Sequence, residues 1–282
     1  MISIEDLRKM VQEVPPLPEV VLRLLNMCND PDVAPRDIIE VIKHDPAVTM
    51  KVLRLCNSPF YGLPRKISLL EEAMVYIGTD ALVNFVLAGC LSTFYHRKNE
   101  GYGLDEGDLW RHAVGTAICS QKVAERADSS LAGLAFTCGL LHDVGKIILN
   151  AYVAEDFQRL IGLVEKEGIS FLLAEERILG YTHPQAGADI AESWNLPSEI
   201  VESIRYHHDP LLAKEHPKLV SIVHVGNILC ISFGIGIGSD GLAYLFHPGA
   251  LDVLQIQVKD LFDLSIEVHD KFKRAEDLLA LS

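Results

Sequence analysis

Apolar residues recur at helical spacing along most of the chain, and no stretch shows the two-residue alternation of a half-buried strand. Several helix starts are marked by their capping residues. Asp45-Pro46 supplies an N-cap oxygen and a first-turn proline, and Thr182-His183-Pro184-Gln185 has the form of a capping box. The pattern therefore predicts an all-α fold.

A polar stretch from His96 to Glu106, which contains Gly101 and Gly103, interrupts the helical pattern. We predict a boundary there between two helical lobes. The first is an N-terminal lobe at residues 1–100. The second, at residues 101–282, is predicted to be a helical bundle that ends in closing helices.

Two apolar stretches of the second lobe carry polar residues. Residues 132–148 predict an apolar helix interrupted by His142 and Asp143. Residues 219–239 contain no charge and approach the length of a membrane-spanning helix. His224, Asn227 and the glycines that follow favour instead a buried helix and a loop, so no membrane span is predicted.

The composition indicates which partners and which cellular compartment to expect. Of its 282 residues 49% are hydrophobic, enough for a sizeable core, and the formal net charge is −14. An acidic surface repels phosphate backbones, so no nucleic-acid partner is expected. Six cysteines without a CxxC pair, and an N-terminal sequence without a secretory signal, favour reduced thiols and a cytoplasmic protein.

Five of the 11 histidines fall where helices of the second lobe could gather them into one pocket. They are His112, His142, His183, His207 and His208. The pair His142-Asp143 would be costly to bury in an apolar helix unless a metal ion satisfied it, because imidazole nitrogens and carboxylate oxygens are natural metal ligands. Asp108 lies one helical turn before His112. Lys146 follows Asp143 by three residues, near enough to hold a substrate phosphate oxygen.

Each histidine also has an ordinary structural interpretation. Alone, His112 is a common helix residue, and His207-His208 at a helix end suits the negative end of the helix dipole. The combination of a His-Asp pair with a His-His pair favours the metal site. The other five are expected at the surface or as helix caps: His44, His96, His216, His247 and His269.

Together these motifs resemble the HD superfamily of metal-dependent phosphohydrolases, whose HD-GYP branch cleaves cyclic di-GMP. The resemblance implies an HD-type helical bundle with a central metal site. It also implies catalytic roles for Asp143 and Lys146. The implied metal ligands are Asp108, His112, His142, Asp143, His183, His207, His208 and Asn227.

Motifs in the first lobe indicate a more specific resemblance. Val14-Pro-Pro-Leu-Pro18, His44-Asp-Pro-Ala47 and Val52-Leu-Arg-Leu-Cys-Asn-Ser58 closely resemble the HDOD domain, and the match runs through roughly residues 12–215. This resemblance implies a bacterial, all-helical signal-transduction protein whose two lobes pack together. Many members of that family lack the metal residues, and no reaction is generally established for it.

Two departures from the HD pattern bear on activity. The pattern ends with an aspartate on a later helix, whereas the best-placed residue here is Asn227, with His224 one turn earlier as a substitute ligand. No Gly-Tyr-Pro follows His207-His208. Cyclic di-GMP hydrolysis therefore lacks its hallmark motif.

Two functions are compatible with these residues. The first is a metal-dependent phosphohydrolase acting on a nucleotide or another phosphoester. The second, which the HDOD resemblance favours, is a metal-binding signalling module with residual hydrolysis. In either case we expect two divalent transition metal ions, iron or manganese in preference to zinc, nickel or cobalt.

The expected partner is a signalling protein or a small phosphorylated ligand, and a homo-oligomer is compatible with both functions. The aromatic loop Pro59-Phe60-Tyr61-Gly62-Leu63 is a candidate partner surface. Packing of the same aromatic rings between the lobes explains it equally well.

Overall fold

In a computed structural model of the chain, the structure describes residues 9, 11, 14–28, 33–57, 63, 65–95, 99–238 and 244–274. These residues form helices and contain no β-strand, which confirms the predicted all-α class. His96 and residues 59–62 of the aromatic loop lie outside the described residues. The helices of the first lobe are α1 (Glu19–Cys28), α2 (Pro35–Lys43), α3 (Pro46–Cys56), α4 (Leu70–Ile77) and α5 (Thr79–Tyr95).

The second lobe has longer helices and three short 3-10 turns. Its helices are α6 (Asp108–Ala127), α7 (Ala132–Leu141), α8 (Lys146–Glu167), α9 (Phe171–Leu179), α10 (His183–Ser193), α11 (Ser198–Tyr206), α12 (Pro217–Ser232), α13 (Gly249–Leu254) and α14 (Val258–Arg274). The 3-10 turns are Glu100–Tyr102, Ser129–Leu131 and Pro210–Leu212.

Helix α6 lies at the centre of the second lobe, with α7 and α12 packed along it. The two lobes meet where α5 packs against α7, and there the Tyr95 hydroxyl donates to the carbonyl oxygen of Leu140 (3.0 Å). One hydrophobic core runs through both lobes. The boundary at residue 100 stays a prediction.

The described part of the segment predicted to join the lobes, residues 99–106, is buried at four of its eight residues and exposed at the others. Tyr102 is fully buried, and the amide of Gly101 donates to Oδ1 of Asn150 on α8 (2.9 Å). A Cβ atom at Gly101 would lie 2.2 Å from the carbonyl oxygen of Asn150, so only glycine allows this approach. The segment thus packs against α8.

Helix α12 coincides with the first part of the uncharged stretch and is buried, as predicted. Among the described residues, the run Ser129–Glu167 and the sharply bent pair α4–α5 are long and apolar enough to cross a membrane. In the first of these, 72% of the apolar window is buried inside the protein. Burial of that kind is typical of a core helix.

Candidate metal centre

The carboxylate of Asp143 lies at the centre of a cluster of histidines. Its Oδ1 is 3.4 Å from Nε2 of His183 and 3.7 Å from Nε2 of His207. Its Oδ2 is 3.3 Å from Nε2 of His142 and 3.6 Å from Nε2 of His112. The structure therefore brings together four of the predicted ligands around a fifth.

His208 completes the cluster on the Oδ1 side, where its Nε2 lies 3.0 Å from Nε2 of His183. Ligand atoms fall into two groups, each with all its members within 4.8 Å of one another. We call them the Oδ1 half and the Oδ2 half. The Oδ1 half consists of His183, His207 and His208, and the Oδ2 half of His112, His142 and Asp143 itself.

The His-Asp pair lies between two helices, not within one as predicted. Helix α7 ends at Leu141, and residues 142–145 form a turn before α8 begins. In that turn, a Cβ atom at Gly145 would lie 2.0 Å from the carbonyl oxygen of His183. Glycine is therefore required for the first residue of α10 to approach Asp143.

Hydrogen bonds on the far side of four rings determine which nitrogen faces Asp143. In each ring Nδ1 donates to an oxygen and leaves Nε2 directed at the cluster. The acceptors are the carbonyl oxygens of Ile235 for His112 (3.2 Å), Gly139 for His142 (2.7 Å) and Ile204 for His207 (2.8 Å), and the carboxylate of Glu175 for His183 (2.8 Å).

Several buried atoms of the cluster lack hydrogen-bond partners among the described residues. These are Nε2 of His142, Nε2 of His207 and Oδ1 of Asp143. Each such atom costs about 1–3 kcal/mol if nothing satisfies it, and a coordinated cation would satisfy all three. Three or more imidazoles with one carboxylate suit a transition metal better than calcium or magnesium.

Electrostatics keep three of the candidate ligands, His207, His208 and Asp143, in the form that binds metal. Burial and the charges of neighbouring histidines lower the pKa values of His207 and His208 well below the ordinary value, so both rings are neutral. Burial alone would raise the pKa of Asp143. His142 and Lys146 nevertheless hold it well below the ordinary value, so the carboxylate stays ionised.

Asn227 reaches the cluster from α12. Its Oδ1 accepts a hydrogen bond from Nε2 of His112 (3.0 Å). Burial disfavours the charged ring of His112, but Cys230 and Asp143 outweigh it and raise the pKa of His112 to about 9. An ion entering beside His112 therefore has to displace a proton.

Two other predicted ligands have different partners. Asp108 pairs with the guanidinium of Arg111 (2.7 Å) and accepts from the amide of Asp105 (2.9 Å), so the structure does not bring its carboxylate into the cluster. His224 donates from Nδ1 to the carbonyl oxygen of His207 (2.8 Å) and accepts at Nε2 from the amide of His247 (2.9 Å). With both nitrogens engaged, His224 holds the turn that carries His207.

Glu175 was not predicted from the sequence, although it is fully buried beside the cluster. Its carboxylate accepts from the ring and the backbone amide of His183 and from the hydroxyl of Tyr102 (2.7 Å). The sequence held a signal for it, because Glu175 lies on the same face of α9 as buried Phe171 and Leu179. A charge on an apolar face needs a partner.

Lys146 and Tyr244 cover the cluster. The Lys146 ammonium forms an ion pair with Oδ2 of Asp143 (2.8 Å) and lies 5.4 Å from the ring centres of Tyr102 and Tyr244. Tyr244 also stacks on His208, with ring centroids 4.0 Å apart. The cavity beside Lys146 and Tyr244 measures only about 10 Å³, about the space of one water.

The chain is similar to known proteins over most of its length. The HDOD domain model matches residues 14–210. A crystal structure of an HDOD domain protein with unknown function from Geobacter sulfurreducens is 27% identical, with a TM-score of 0.75, and the match covers 99% of this chain and 97% of that one. A candidate phosphohydrolase from Shewanella amazonensis SB2B is 26% identical, with a TM-score of 0.73 and coverage of 98% and 97%.

A curated relative is an uncharacterized protein of Treponema pallidum (strain Nichols), 26% identical over 220 residues. The match covers 77% of this chain but only 42% of the relative, so the chain spans less than half the length of that protein. The family model covers more than half of the chain. The chain therefore belongs to the HDOD domain family.

Proposed function

We propose that this protein is a metal-binding signalling module whose HD-type site holds two divalent transition metal ions and hydrolyses phosphoesters slowly or not at all. The observation that carries the proposal is the position of Asp143 between two groups of Nε2 atoms. His183, His207 and His208 would hold one ion, and His112, His142 and Asn227 the other, with the Asp143 carboxylate shared. Iron or manganese suits this mixed donor set.

The cover over the cluster supports signalling over efficient catalysis. A phosphoester needs far more space than the cavity of about 10 Å³ beside Lys146 provides. Tyr244 occupies the approach, stacked on His208. A substrate would therefore have to displace Tyr244, whereas an ion bound beneath it would be retained and sensed.

Phosphohydrolase activity is the second candidate, and Lys146 favours it. The ammonium group is buried beside the shared carboxylate, where it can neutralise charge that develops on a phosphoryl oxygen. Bound divalent ions would supply Lewis acidity and a water of lowered pKa. In this mechanism Asp143 would hold the ions, Lys146 would orient the phosphoryl group, and Tyr102 and Tyr244 would exclude bulk water.

The two candidates are distinguished by one experiment. Protein loaded with Mn²⁺ or Fe²⁺ is assayed for bound metal and for hydrolysis of bis(p-nitrophenyl) phosphate. Three variants accompany the wild type: Tyr244→Ala, the exposed control Tyr76→Ala on α4, and Asp143→Asn. We expect bound metal without appreciable turnover in the wild type, and faster turnover only in Tyr244→Ala.

Each other outcome changes the conclusion. Efficient turnover by the wild type that Tyr244→Ala does not improve would favour the phosphohydrolase. Absence of bound metal would refute both candidates. The partner of the signalling module is proposed to be a signalling protein or a small phosphorylated ligand in the cytoplasm.

A further inference from the structure

A second cavity lies between the two lobes, outside the metal cluster. It has a volume of about 230 Å³ and is lined by residues from α1, α5, the turn Ser129–Leu131, α7 and α11. This volume is slightly below the ~300–1,000 Å³ typical of pockets for drug-sized ligands, so it suits a smaller molecule. Neither the metal cluster nor the proposed function gives this cavity a role.

One polar side chain of the cavity, Asn84, has hydrogen-bonding capacity that no described residue uses. Asn84 is only 4% exposed, and its side-chain oxygen accepts from the hydroxyl of Thr137 (3.3 Å). Its amide nitrogen has no hydrogen-bond partner among the described residues. A buried amide that lines a cavity with an unused N–H group or, after an amide flip, an unused oxygen is a position for a ligand atom.

The charge of the cavity comes from Asp80. This residue is exposed to solvent and lies in the first turn of α5, a position that suits a carboxylate. It lies against Gly133 of α7, where a Cβ atom would be 3.1 Å from the carboxyl carbon. Because the carboxylate is exposed, it makes the solvent-facing rim of the cavity negative.

The opposite walls are apolar, with Leu25 and Ile200 among their residues. A ligand that fits both parts has one cationic end and a short apolar body. An anion is disfavoured by Asp80 and by the net charge of −14. We propose that this interlobe cavity binds a small organic cation, an ammonium or guanidinium group on a short hydrocarbon body.

Such a ligand would touch both lobes at once. Asp80 and Asn84 belong to α5, whereas Thr137 belongs to α7, which ends at Leu141 immediately before His142. A molecule bound to both helices stabilises their packing, so it raises the thermal midpoint of the whole chain. This proposal does not depend on the presence of metal.

Three probes of equal shape test the charge requirement: 3-methylbutylamine, 3-methylbutanol and 3-methylbutanoate. Binding to the full chain is measured by titration calorimetry and ligand-observed NMR up to about 10 mM, the affinity range of ligands with six or seven heavy atoms. We expect the ammonium to bind about three- to fivefold more tightly than the alcohol, because the Asp80 carboxylate is exposed to solvent and its attraction is screened. The carboxylate should not bind.

Matched variants locate the site. Asp80→Asn should lose about three- to fivefold in affinity for the ammonium, which brings it to the affinity of the alcohol. Gly133→Ala, which favours the helix but pushes the Asp80 carboxylate away, should also bind it more weakly. Asp252→Asn, an exposed aspartate of α13, removes the same charge elsewhere and should bind as the wild type does.

Any of three results would overturn the proposal. One is that none of the probes binds up to the highest concentration. Another is equal binding of the ammonium and the alcohol. The last is unchanged binding of the ammonium by both Asp80→Asn and Gly133→Ala when circular dichroism shows that they are folded.

Discussion

The two halves of the candidate metal centre share Asp143. They differ in the groups that accept hydrogen bonds from the Nδ1 atoms of their histidines. In the Oδ1 half, His183 is backed by the buried carboxylate of Glu175. In the Oδ2 half, His112 and His142 are backed by backbone carbonyl oxygens. A carboxylate behind an imidazole makes the ring a stronger donor.

The third position of each half widens this difference. The Oδ1 half has the imidazole of His208, whereas in our proposal the Oδ2 half would be completed by Asn227, whose neutral amide is a poorer donor than the aspartate of the HD pattern. Sharing one carboxylate therefore does not make the two positions equal. We expect the Oδ1 half to hold its ion more tightly.

The largest effect is expected from the shared ligand. Asp143→Asn removes the carboxylate that faces both halves, and it leaves the buried ammonium of Lys146 without its ion pair. Bound metal, measured by elemental analysis, should fall to background in both halves. Asp108→Asn is the control, because that carboxylate pairs with Arg111 instead. Full metal content in Asp143→Asn would show that the two halves are independent of Asp143.

A second substitution should affect one half only. Glu175→Gln keeps the shape of the side chain but removes the charge behind His183, and loss of such a partner typically weakens metal binding about 10–100-fold. Stepwise metal titration should show the tighter step weakened and the looser step unchanged. Its neighbour Glu176 is exposed on the same helix, so Glu176→Gln should titrate like the wild type. Equal weakening by both substitutions would contradict a specific role for Glu175.

A substitution that adds a negative charge should reduce the difference in metal affinity between the two halves. Asn227→Asp adds a negative ligand beside His112, and the looser step should tighten by roughly tenfold. Since both nitrogens of His224 are engaged, His224→Ala should disturb the Oδ1 half, whose His207 carbonyl it holds, rather than the Oδ2 half. If Asn227→Asp and wild-type titrations coincide, α12 does not supply a ligand.

The smallest effect is expected from a carboxylate that touches no ligand. Glu202 on α11 accepts from the backbone amides of Lys214 (2.7 Å) and His216 (2.6 Å). Glu202→Gln should leave both titration steps unchanged. It should lower the free energy of unfolding by about 0.5–1 kcal/mol, since Glu202 is partly exposed to solvent.

The effect of Glu202 has a defined dependence on pH. Burial alone would raise the pKa of Glu202, but the backbone amides of Lys214, Glu215 and His216 lower it below the ordinary value. The contribution is therefore present above the unfolded pKa of about 4.3 and disappears as the pH falls through the folded value. Denaturant unfolding at pH 7 and pH 3 measures it, and an equal difference between wild type and variant at both pH values would contradict this origin.

Much of the fold could be predicted from the sequence because its signals are local. The capping box at Thr182 and the N-cap at Asp45 both form, since each needs only residues within one helical turn. The His-Asp pair was predicted within a helix because its flanks are apolar on both sides. The turn there depends on the approach of His183 to Gly145, which no local pattern contains.

The site was partly predictable for the same reason. Adjacent candidate ligands such as His207 and His208 are visible as a motif in the sequence. The family resemblance indicated the remaining candidate ligands. Tyr102 and Tyr244 are far from these motifs in the chain, and only the packing of the polar segment 99–104 brings Tyr102 to Glu175. Asp108 shows the converse, because helical spacing placed it near His112 but could not reveal that Arg111 takes its carboxylate.

The hydrogen bonds that hold Nδ1 of four histidines have a consequence for how metal occupancy could be sensed. These rings lose little rotational freedom when an ion arrives, because His142, His183 and His207 are already oriented by Gly139, Glu175 and Ile204. Helices that need not rearrange transmit little mechanical displacement. What changes on binding is the electric field, because cations replace protons around one buried anion. A partner that responds to metal occupancy would therefore respond to the charge of this cluster rather than to a change in its shape.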